Sequence, residues 1–425
     1  MPMDTPKSLR ELSAADDYDP NAMSVEKARS HIRSFLQPVT AVERLSIRAA
    51  LGRVLAEEVI SPVNVPQHDN SAMDGYAVKF DDLRQDAEVM LKVIGTAFAG
   101  KPFDGNVGPM QAVRIMTGAV IPRGADTVIQ QERAKASGDK VAVAPVTKKG
   151  TNTRGAGEDL RQGEPALKRG QPLRPAEIGL LASLGIGEIS VYRRLRVAFF
   201  STGDELVPVG SPLGAGQIYD SNRYTIYGML TRLGCDVLDM GVIRDDPEAV
   251  ERAFDEAAQA TDVVITSGGV SVGEADYVKQ ILERLGEVLF WKIAMKPGRP
   301  LAYGRIGRAH FFGLPGNPVA VMVTFYQFVR DALLYLQGQV TVAPLPTLKL
   351  TCTSAIKKAP GRTEFQRGIL ARAADGQWTV RTTGDQGSGI LSSMSQADCF
   401  IVLPTDAGNL PAGALVDVQL LEGLV

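Results

Sequence analysis

The chain has 425 residues, of which 44% are hydrophobic and 22% are charged, a composition typical of a globular protein. Its net charge of −2 argues against bulk binding to nucleic-acid phosphates, and its three widely spaced cysteines imply no disulfide framework. The sequence shows no uninterrupted apolar run of 18 residues and no secretory signal pattern, so we expect no membrane span and a cytoplasmic location.

The N-terminal part of the chain predicts a polar tail followed by helices. Residues 1–22 lack any hydrophobic periodicity and are expected to be disordered. Ser24 can cap a helix that runs to about Leu36, and a second helix is predicted over about 41–50. A later helix over 175–185, with Pro at its start and Gly at its end, is expected to pack beside them.

A unit rich in short strands follows, with linkers on both sides. Strand-like runs broken by Gly and Pro cover residues 67–151. Asp74 lies in a polar, glycine-containing stretch that most often forms a local hydrogen-bonded turn, and Thr117 can be a strand-end hydroxyl tied to the backbone. Asp159 follows this unit among arginines, a pattern typical of surface ion pairs.

Strand and helix patterns alternate over residues 192–340, which predicts a parallel sheet with helices on both faces. Ligands bind such sheets beyond the carboxyl ends of the strands. Polar residues collect there: Glu205 follows the first strand, Asp245 the second, Asp276 the third, and 315–317 the last. Independent surface charges would not gather at one end of successive strands, so we expect a genuine site.

The third of these strands leads into a turn of small residues, Ser267, Gly268 and Gly269. A strand, a glycine turn and a helix start together aim backbone N–H groups at an anion. Asp276 lies in the first turn of the predicted helix, over about 274–285. Its carboxylate can either complement the helix dipole or hold a metal ion or a proton, and the spacing alone favours neither reading.

Two lysines and a proline-rich turn complete this region. Lys292 and Lys296 are predicted on one face of a single strand, with their Cα atoms ~13 Å apart at ~3.3 Å per residue, which suits the two ends of one ligand. A solvated strand face is the alternative reading. Pro315 precedes a long helix through about 336, for which Asn317 is the expected N-cap and Pro318 the first residue.

Residues 341–425 contain only strand-like runs and predict a small barrel or sandwich. Within it, Arg367 reads as a surface cation and Ser388 as a turn hydroxyl if neither is functional. The expected fold class is multidomain, α/β plus β, with these parts: a disordered tail (1–22), a discontinuous helical and linker domain (23–66 and 152–191), a projecting β-rich domain (67–151), a parallel-sheet α/β domain (192–340) and a C-terminal β-barrel (341–425).

Motifs spread along the chain resemble one enzyme family. They are DNSAMDGYA (69–77), RIMTGAVIPRGAD (114–126), RGAGEDL (154–160), FFSTGDEL (199–206), IYDSNR (218–223), RDDP (244–247), TSGGVSVGEAD (266–276), MKPGRP (295–300), GLPGNP (313–318), FQRG (365–368) and DQGS (385–388). In family order, these blocks resemble the molybdopterin molybdenumtransferase (MoeA) family and are similar to the E domain of gephyrin. Any single block is weak, but the combination is highly specific.

The resemblance implies an enzyme that inserts molybdenum from molybdate into adenylated molybdopterin, releases AMP and requires Mg²⁺. It also implies a homodimer whose cleft lies between the projecting domain of one chain and the pterin domain of the other, with possible transient contact with other molybdenum-cofactor biosynthesis proteins. The residues it carries over are catalytic (Asp74, Thr117, Asp159, Glu205, Asp276), substrate-binding (Ser267, Gly268, Gly269, Lys292, Lys296, Pro315, Asn317, Pro318, Arg367, Ser388) and metal-binding (Glu205, Asp245, Asp276).

Two other classes of protein stay open at this point. The adenylyltransferase that precedes this step shares the glycine-turn domain, but it lacks units corresponding to 67–151 and 341–425. A scaffold or binding protein is the other, as the gephyrin similarity allows. The series of carboxylates favours an enzyme, because a scaffold without turnover would not require them.

Overall fold

The structure is a computed structural model that describes Leu9, Leu12, Asp19 and residues 21–268 and 276–421. Within these ranges the strands form three six-stranded sheets and four two-stranded ribbons. In chain order the elements are α1 (Val25–Phe35), β1 (Val42–Ser46), β2 (Val59–Ile60), β3 (Asn70–Ser71), β4 (Gly75–Val78), β5 (Val89–Ala97), β6 (Gln111–Ile115), β7 (Thr127–Gln130), β8 (Ala134–Ser137), β9 (Lys140–Val143), β10 (Thr153–Arg154), β11 (Pro165–Leu167), α2 (Pro175–Ser183), β12 (Glu188–Tyr192), β13 (Arg196–Thr202), β14 (Leu206–Val207), β15 (Ile218–Tyr219), α3 (Ser221–Arg232), β16 (Asp236–Ile243), α4 (Pro247–Ala260), β17 (Val263–Ser267), α5 (Asp276–Leu285), β18 (Gly286–Lys292), β19 (Met295–Lys296), β20 (Pro300–Ile306), β21 (Ala309–Leu314), α6 (Pro318–Thr324), α7 (Arg330–Leu336), β22 (Thr347–Cys352), β23 (Thr363–Arg372), β24 (Trp378–Thr382), α8 (Leu391–Gln396), β25 (Cys399–Leu403) and β26 (Leu415–Leu420).

A mixed sheet of order β16-β13-β17-β21-β20-β18 carries the predicted alternation of strands and helices. The first four strands are parallel, and the sheet continues through two antiparallel pairings, β21 with β20 and β20 with β18. Apolar side chains of α3, α6 and α7 form the core on one face, and those of α4 and α5 form the core on the other. The predicted α/β sheet is therefore confirmed, with two further strands added at one edge, of which β20 alone runs opposite to the others.

The predicted single strand that carries both lysines is wrong. β18 ends at Lys292, and Lys296 belongs to a separate two-residue strand, β19, which pairs with β23 of another sheet. Within β18, Lys292 lies opposite Pro300 in the same mixed sheet. The two lysines therefore belong to different sheets, because the chain leaves one sheet and enters the next between them.

The unit after the first linker is a six-stranded sheet of order β7-β4-β6-β5-β9-β8. Four of its strands, β5, β6, β7 and β9, coincide with apolar runs that the sequence marks as strands, whereas β4 and β8 were not predicted. Apolar side chains cover both faces of this sheet in two separate clusters. The unit therefore has its own core, independent of the mixed sheet.

The helix predicted over 41–50 is instead a strand and a turn. Residues of β1 pair antiparallel with β12, from Val42 opposite Tyr192 to Ser46 opposite Glu188. A partner about 146 positions away is invisible to local periodicity, and its pairing overrides helix propensity. The predicted helices at the start of the chain and at α2 are confirmed, with the Ser24 hydroxyl accepting a hydrogen bond from Lys27 N at 3.1 Å.

Part of the segment expected to be disordered is ordered. Leu9 and Leu12 are helical, and each is only 2% exposed within the main apolar cluster. The expectation of disorder over 1–22 is therefore wrong for these two residues. Their spacing of three places both on one face of a helical turn, a pattern too short to stand out in the sequence.

The C-terminal strands close into a barrel, as predicted. β23 pairs with both β24 and β25, so the order β23-β24-β22-β26-β25 returns to its first strand. Apolar residues fill its interior, including Cys352 and Cys399. The region also contains a short helix, α8, which the sequence did not predict.

One long helix, Pro318–Leu336, is apolar and long enough to cross a membrane by length and composition, but 78% of that window is buried inside the protein. It consists of α6 and α7 joined by a π-helical turn, Phe325–Val329, in which Arg330 N donates to Phe325 O. Gln327 in this turn is fully buried. It accepts hydrogen bonds from Arg29 of α1 and donates to Gln419 of β26 at 3.1 Å.

We expect Asp262→Asn to lower the free energy of unfolding by about 1–3 kcal/mol at pH 7. This range lies between the values typical of exposed ion pairs and of fully buried ion pairs. The Asp262 carboxylate accepts two hydrogen bonds from Arg193, at 2.6 and 2.7 Å, and both side chains are 24% exposed. Burial alone would raise its pKa, but these bonds, the Arg196 N–H and the arginine charge hold the pKa of Asp262 below 3.8.

The stabilisation by the ionised Asp262 carboxylate is fully present above the pKa of aspartate in the unfolded chain, about 3.9. It is lost as the pH falls through the lower pKa of Asp262 in the folded protein. Urea unfolding at pH 7 and pH 3 measures it. Asp236→Asn is the matched control, because Asp236 is 64% exposed and lies 3.9 Å from Arg196. An equal effect of both substitutions at pH 7 would contradict the assignment.

Candidate active site

A cavity of about 480 Å³ opens where the parallel strands of the mixed sheet end. The loops after β13, β16, β17 and β21 contribute to its wall, as expected for ligand sites in open α/β sheets. The turn after β19 and a loop before α8 close it from the side of the barrel. Its lining residues are Thr202, Gly203, Glu205, Asp245, Gly268, Val278, Lys296, Pro297, Gly298, Arg299, Pro300, Pro315, Gly316, Asn317, Ala320, Gln386, Gly387 and Ser388.

Seven residues that the sequence singles out meet in this cavity. They come from four strand ends of the mixed sheet, from β19 and from the C-terminal region. They are Glu205, Asp245, Gly268, Lys296, Pro315, Asn317 and Ser388. Two carboxylates, one ammonium group and exposed backbone thus surround one space, a combination suited to a phosphate-bearing ligand with a cation.

Glu205 is placed by a glycine two positions before it. Gly203 has φ +147°, and a Cβ there would lie 2.5 Å from a carboxylate oxygen of Glu205. A side chain at position 203 would therefore displace Glu205. The neighbouring loop contacts this turn, because Asp245 N donates to the Asp204 carboxylate at 3.4 Å.

Lys296 reaches the cavity from the junction between the mixed sheet and the barrel. Its Nζ lies 3.6 Å from Oε1 of Glu364, its register partner on β23. The Lys296 side chain is 50% exposed, whereas that of Glu364 is 4% exposed. The buried Glu364 carboxylate thus holds the Lys296 ammonium group, which remains half exposed at the cavity.

Arg367 is carried over from the family as substrate-binding, and it otherwise reads as a surface cation. In the structure it is fully buried. Its guanidinium donates to the carbonyl oxygens of Asp385, Gln386 and Gly387 at 3.3, 3.2 and 3.0 Å. Burial lowers the pKa of the Arg367 guanidinium from its ordinary value. Arg367 therefore shapes the loop that brings Ser388 to the cavity, and it does not line the cavity itself.

Three other expected ligand residues lie beside the cavity. Ser267 is buried, and its hydroxyl lies 2.8 Å from Asn222 Nδ2. Pro318 is the first residue of α6, as predicted, with Asn317 at the N-cap position but without a side-chain capping bond. Lys292 ends β18 and is absent from the cavity's described lining.

Asp74 and Thr117 form a pair in the separate six-stranded unit. Thr117 donates to one Asp74 carboxylate oxygen from its backbone N and from its hydroxyl, each at 2.7 Å. These bonds, the backbone one first, hold the pKa of Asp74 below 3.8. Neither residue belongs to the described lining of the main cavity within this chain.

Asp159 lines another recess, together with Val65, Pro66, Asn70, Arg154 and Glu158. The Oδ1 atom of Asn70 is buried there without a hydrogen-bond partner among the described residues. Two further predicted site groups, Gly269 and the Asp276 side chain, lie outside the described part of the chain; the backbone of Asp276 begins α5.

Three residues that line the cavity were not predicted as site residues from the sequence: Thr202, Arg299 and Gln386. Each lies within a motif quoted above, two or three positions from a residue that was selected. Their proximity to those residues was the available signal. In the described residues, no group of three His, Cys, Asp or Glu side chains lies close enough to hold a metal ion by itself.

Three family models match the chain in order. They are the MoeA N-terminal region (domain I and II) over 23–185, a probable molybdopterin binding domain over 198–335, and the MoeA C-terminal region (domain IV) over 349–421. The molybdopterin molybdenumtransferase of Haemophilus influenzae is 47% identical over 404 residues, covering 95% of this chain and 100% of that protein. The same-named protein of Nostoc is 36% identical over 388 residues, covering 89% and 88%.

Solved structures agree with the family models. A molybdopterin biosynthesis moeA protein from Pyrococcus horikoshii OT3 superposes with a TM-score of 0.82 at 28% identity, covering 94% of this chain and 100% of that one. The architecture, including the separate six-stranded unit, the mixed sheet and the barrel, is thus shared over 94% of this chain.

Proposed function

The chain belongs to the molybdopterin molybdenumtransferase (MoeA) family of enzymes, and from this membership we propose how its cavity works. The enzyme acts in molybdenum-cofactor biosynthesis, inserting molybdenum into the pterin. We propose adenylated molybdopterin and molybdate as the substrates and AMP as a product. The observation that carries the proposal is the convergence of Glu205, Asp245 and Lys296 with the glycine turn at Gly268 in one cavity.

The chemistry at this cavity needs positioning and charge neutralisation more than a protein nucleophile. Lys296 supplies countercharge for a phosphate or for molybdate, and it is held by Glu364 at 3.6 Å. Backbone groups around Gly268 and Gly316 allow the anion close approach. The loop held by Arg367 carries Ser388 to the opposite wall.

We propose Mg²⁺ as the metal cofactor. Glu205 and Asp245 would hold it together with oxygens of the substrate, because Mg²⁺ is usually bound by one or two carboxylates plus phosphates. Two described carboxylates at the cavity fit this mode better than a complete protein cage, which the described residues do not form. When bound, Mg²⁺ would neutralise phosphate charge.

We propose a homodimer in which Asp74 and Thr117 of one subunit complete the cavity of the other. Both polar residues lie in a unit with its own core, outside the described cavity of their own chain. An apolar surface on the mixed-sheet unit is available for pairing: Tyr219, Tyr224 and Tyr227 are 42%, 56% and 50% exposed. Aromatic residues are enriched at protein interfaces. A two-fold dimer would form two equal sites.

Two further partner and location proposals follow from the same membership. The product has to pass to other proteins, so transient contact with other molybdenum-cofactor biosynthesis proteins is proposed. A cytoplasmic setting is supported by Cys235, Cys352 and Cys399, which are buried free thiols.

The function is tested by supplying purified protein with adenylated molybdopterin, molybdate and Mg²⁺. AMP release that depends on molybdate, together with formation of active cofactor, is the expected result. Consumption of ATP with unmodified molybdopterin would identify an adenylyltransferase instead. Binding without any turnover would identify a scaffold.

Lys296→Ala should weaken AMP binding by about tenfold, with partial rescue by Lys296→Arg, which keeps the charge but changes its shape. Lys292→Ala should have the smaller effect, because Lys292 is absent from the cavity's described lining. Calorimetric titration with AMP measures both. Lys279→Ala is the control, since Lys279 lies on α5, is 54% exposed and pairs with Glu283 at 3.7 Å. Unchanged affinity in Lys296→Ala would remove it from the site.

A further inference from the structure

Asn222 connects two loops of the cavity without lining it. It lies in the first turn of α3, two positions after the N-cap residue Asp220. Its Nδ2 atom donates to Ser267 Oγ at 2.8 Å and to Gly316 O at 2.6 Å. One side-chain amide thus binds the end of β17 and the turn after β21 at once.

These two loops contact each other through weaker bonds. Gly268 N donates to Leu314 O at 3.2 Å, and Ser267 Oγ lies 3.4 Å from Pro315 O. Both loops supply wall residues of the cavity, namely Gly268 from one and Gly316 from the other. The parallel β17–β21 ladder ends with Ser267 opposite Leu314, so it fixes the strand ends themselves. Beyond the ladder, the position of the Gly316 turn relative to Gly268 depends on Asn222 more than on the direct contacts.

A side-chain amide is chemically suited to connecting the β17 and β21 loops. A carbonyl oxygen such as Gly316 O can only accept a hydrogen bond, so the partner must be a donor with a second N–H left for Ser267. Aspartate has the same shape as asparagine but offers no donor, and its charge would face the Gly316 carbonyl. The Asn222 Oδ1 atom is buried and has no partner among the described residues, so the side chain is held by its donors alone.

We propose that Asn222 is a positioning residue that sets the separation of the β17 and β21 loops for binding the phosphate-bearing end of the substrate. The proposal rests on the proposed function, because the adenylated substrate supplies that phosphate. Asn222 itself touches neither substrate nor metal. Its effect is exerted through Ser267 and Gly316.

The test compares Asn222→Asp and Asn222→Ala in calorimetric titrations with AMP and Mg²⁺. We expect both substitutions to raise the Kd for AMP by about 10–100-fold while the binding stoichiometry per chain stays that of the wild type. A residue that only stabilises the fold would lower the stoichiometry and the melting temperature and leave the Kd of the folded fraction unchanged. That second pattern would overturn the proposal.

Asn152→Asp is the matched control, because Asn152 Nδ2 donates to Val128 O at 2.9 Å in the separate β-rich unit. It should leave the Kd for AMP unchanged. Ser267→Ala closes a double-mutant cycle, in which the combined loss with Asn222→Ala should be smaller than the product of the two single losses. If the loss of AMP affinity in the double variant equals the product of the two single losses, the proposed coupling is refuted. This test does not use Asn222→Asp, so it holds even if that variant fails to fold.

Failure of this inference differs from failure of the proposed function. If the wild type releases AMP and Asn222→Asp binds AMP with wild-type affinity, the positioning role is refuted and the function stands. If the wild type neither binds AMP nor turns over adenylated molybdopterin, the proposed function fails first.

Discussion

Glu205→Gln should reduce the rate of molybdate-dependent AMP release by about 10²–10³-fold, the range seen when one preorganised electrostatic group is removed. Glutamine keeps the shape of the side chain, and the fold around Gly203 should tolerate it. The substitution removes one of the two described carboxylates in the cavity. The reason for the loss is charge, since a neutral amide binds a hard cation more weakly than a carboxylate does.

The measurement is the AMP release rate as a function of Mg²⁺ concentration. We expect the half-saturating Mg²⁺ concentration to rise in Glu205→Gln. Glu248→Gln is the control, since Glu248 lies in the first turn of α4, is 87% exposed and is 3.9 Å from Arg252. Wild-type turnover of Glu205→Gln at ordinary Mg²⁺ would refute its assignment to the metal.

Mixing two inactive variants, Asp74→Ala and Glu205→Ala, should restore activity if the site is shared between subunits. In a mixed dimer, one site then carries both lesions and the other carries none. Activity should approach half of the wild type per mixed dimer, and about one quarter overall after random exchange of subunits. If each site were formed by a single chain, every site would carry one lesion and the mixture would stay inactive.

A control pair places both lesions in the same unit. Glu205→Ala mixed with Lys296→Ala should show no gain in activity over the average of the two separate variants, because both residues line the cavity and each site of a mixed dimer keeps one lesion. Light scattering reports the oligomeric state at the working concentration. A monomer there would remove the premise of complementation.

Much of the site could be predicted because one topological rule governs it. Successive parallel strands end at the same edge of the sheet, so Glu205, Asp245 and 315–317 had to come together once the alternation of strands and helices was recognised. The structure places all of them around one cavity. The periodicity of each strand and helix is local and therefore visible in the sequence.

The wrong expectations share a different cause, which is contact between distant parts of the chain. β1 is a strand only because β12 pairs with it, and Lys296 leaves the strand of Lys292 only because β23 pairs with β19. Arg367 looks like a surface cation until the loop 385–387 folds around it. Local patterns carry no information about such partners.

The π-helical turn within the long helix has a consequence for the cavity. An α-helix rotates by about 100° per residue, so the additional residue of a π turn sets the rotational phase between α6 and α7. α7 anchors one half in the core through Leu333 and Leu336, while the other half begins beside the cavity at Asn317. Deleting one residue within 325–329 would make the helix regular and yet swing Asn317 away from the cavity wall. The number of residues in this turn is therefore as strictly specified as any side chain of the site.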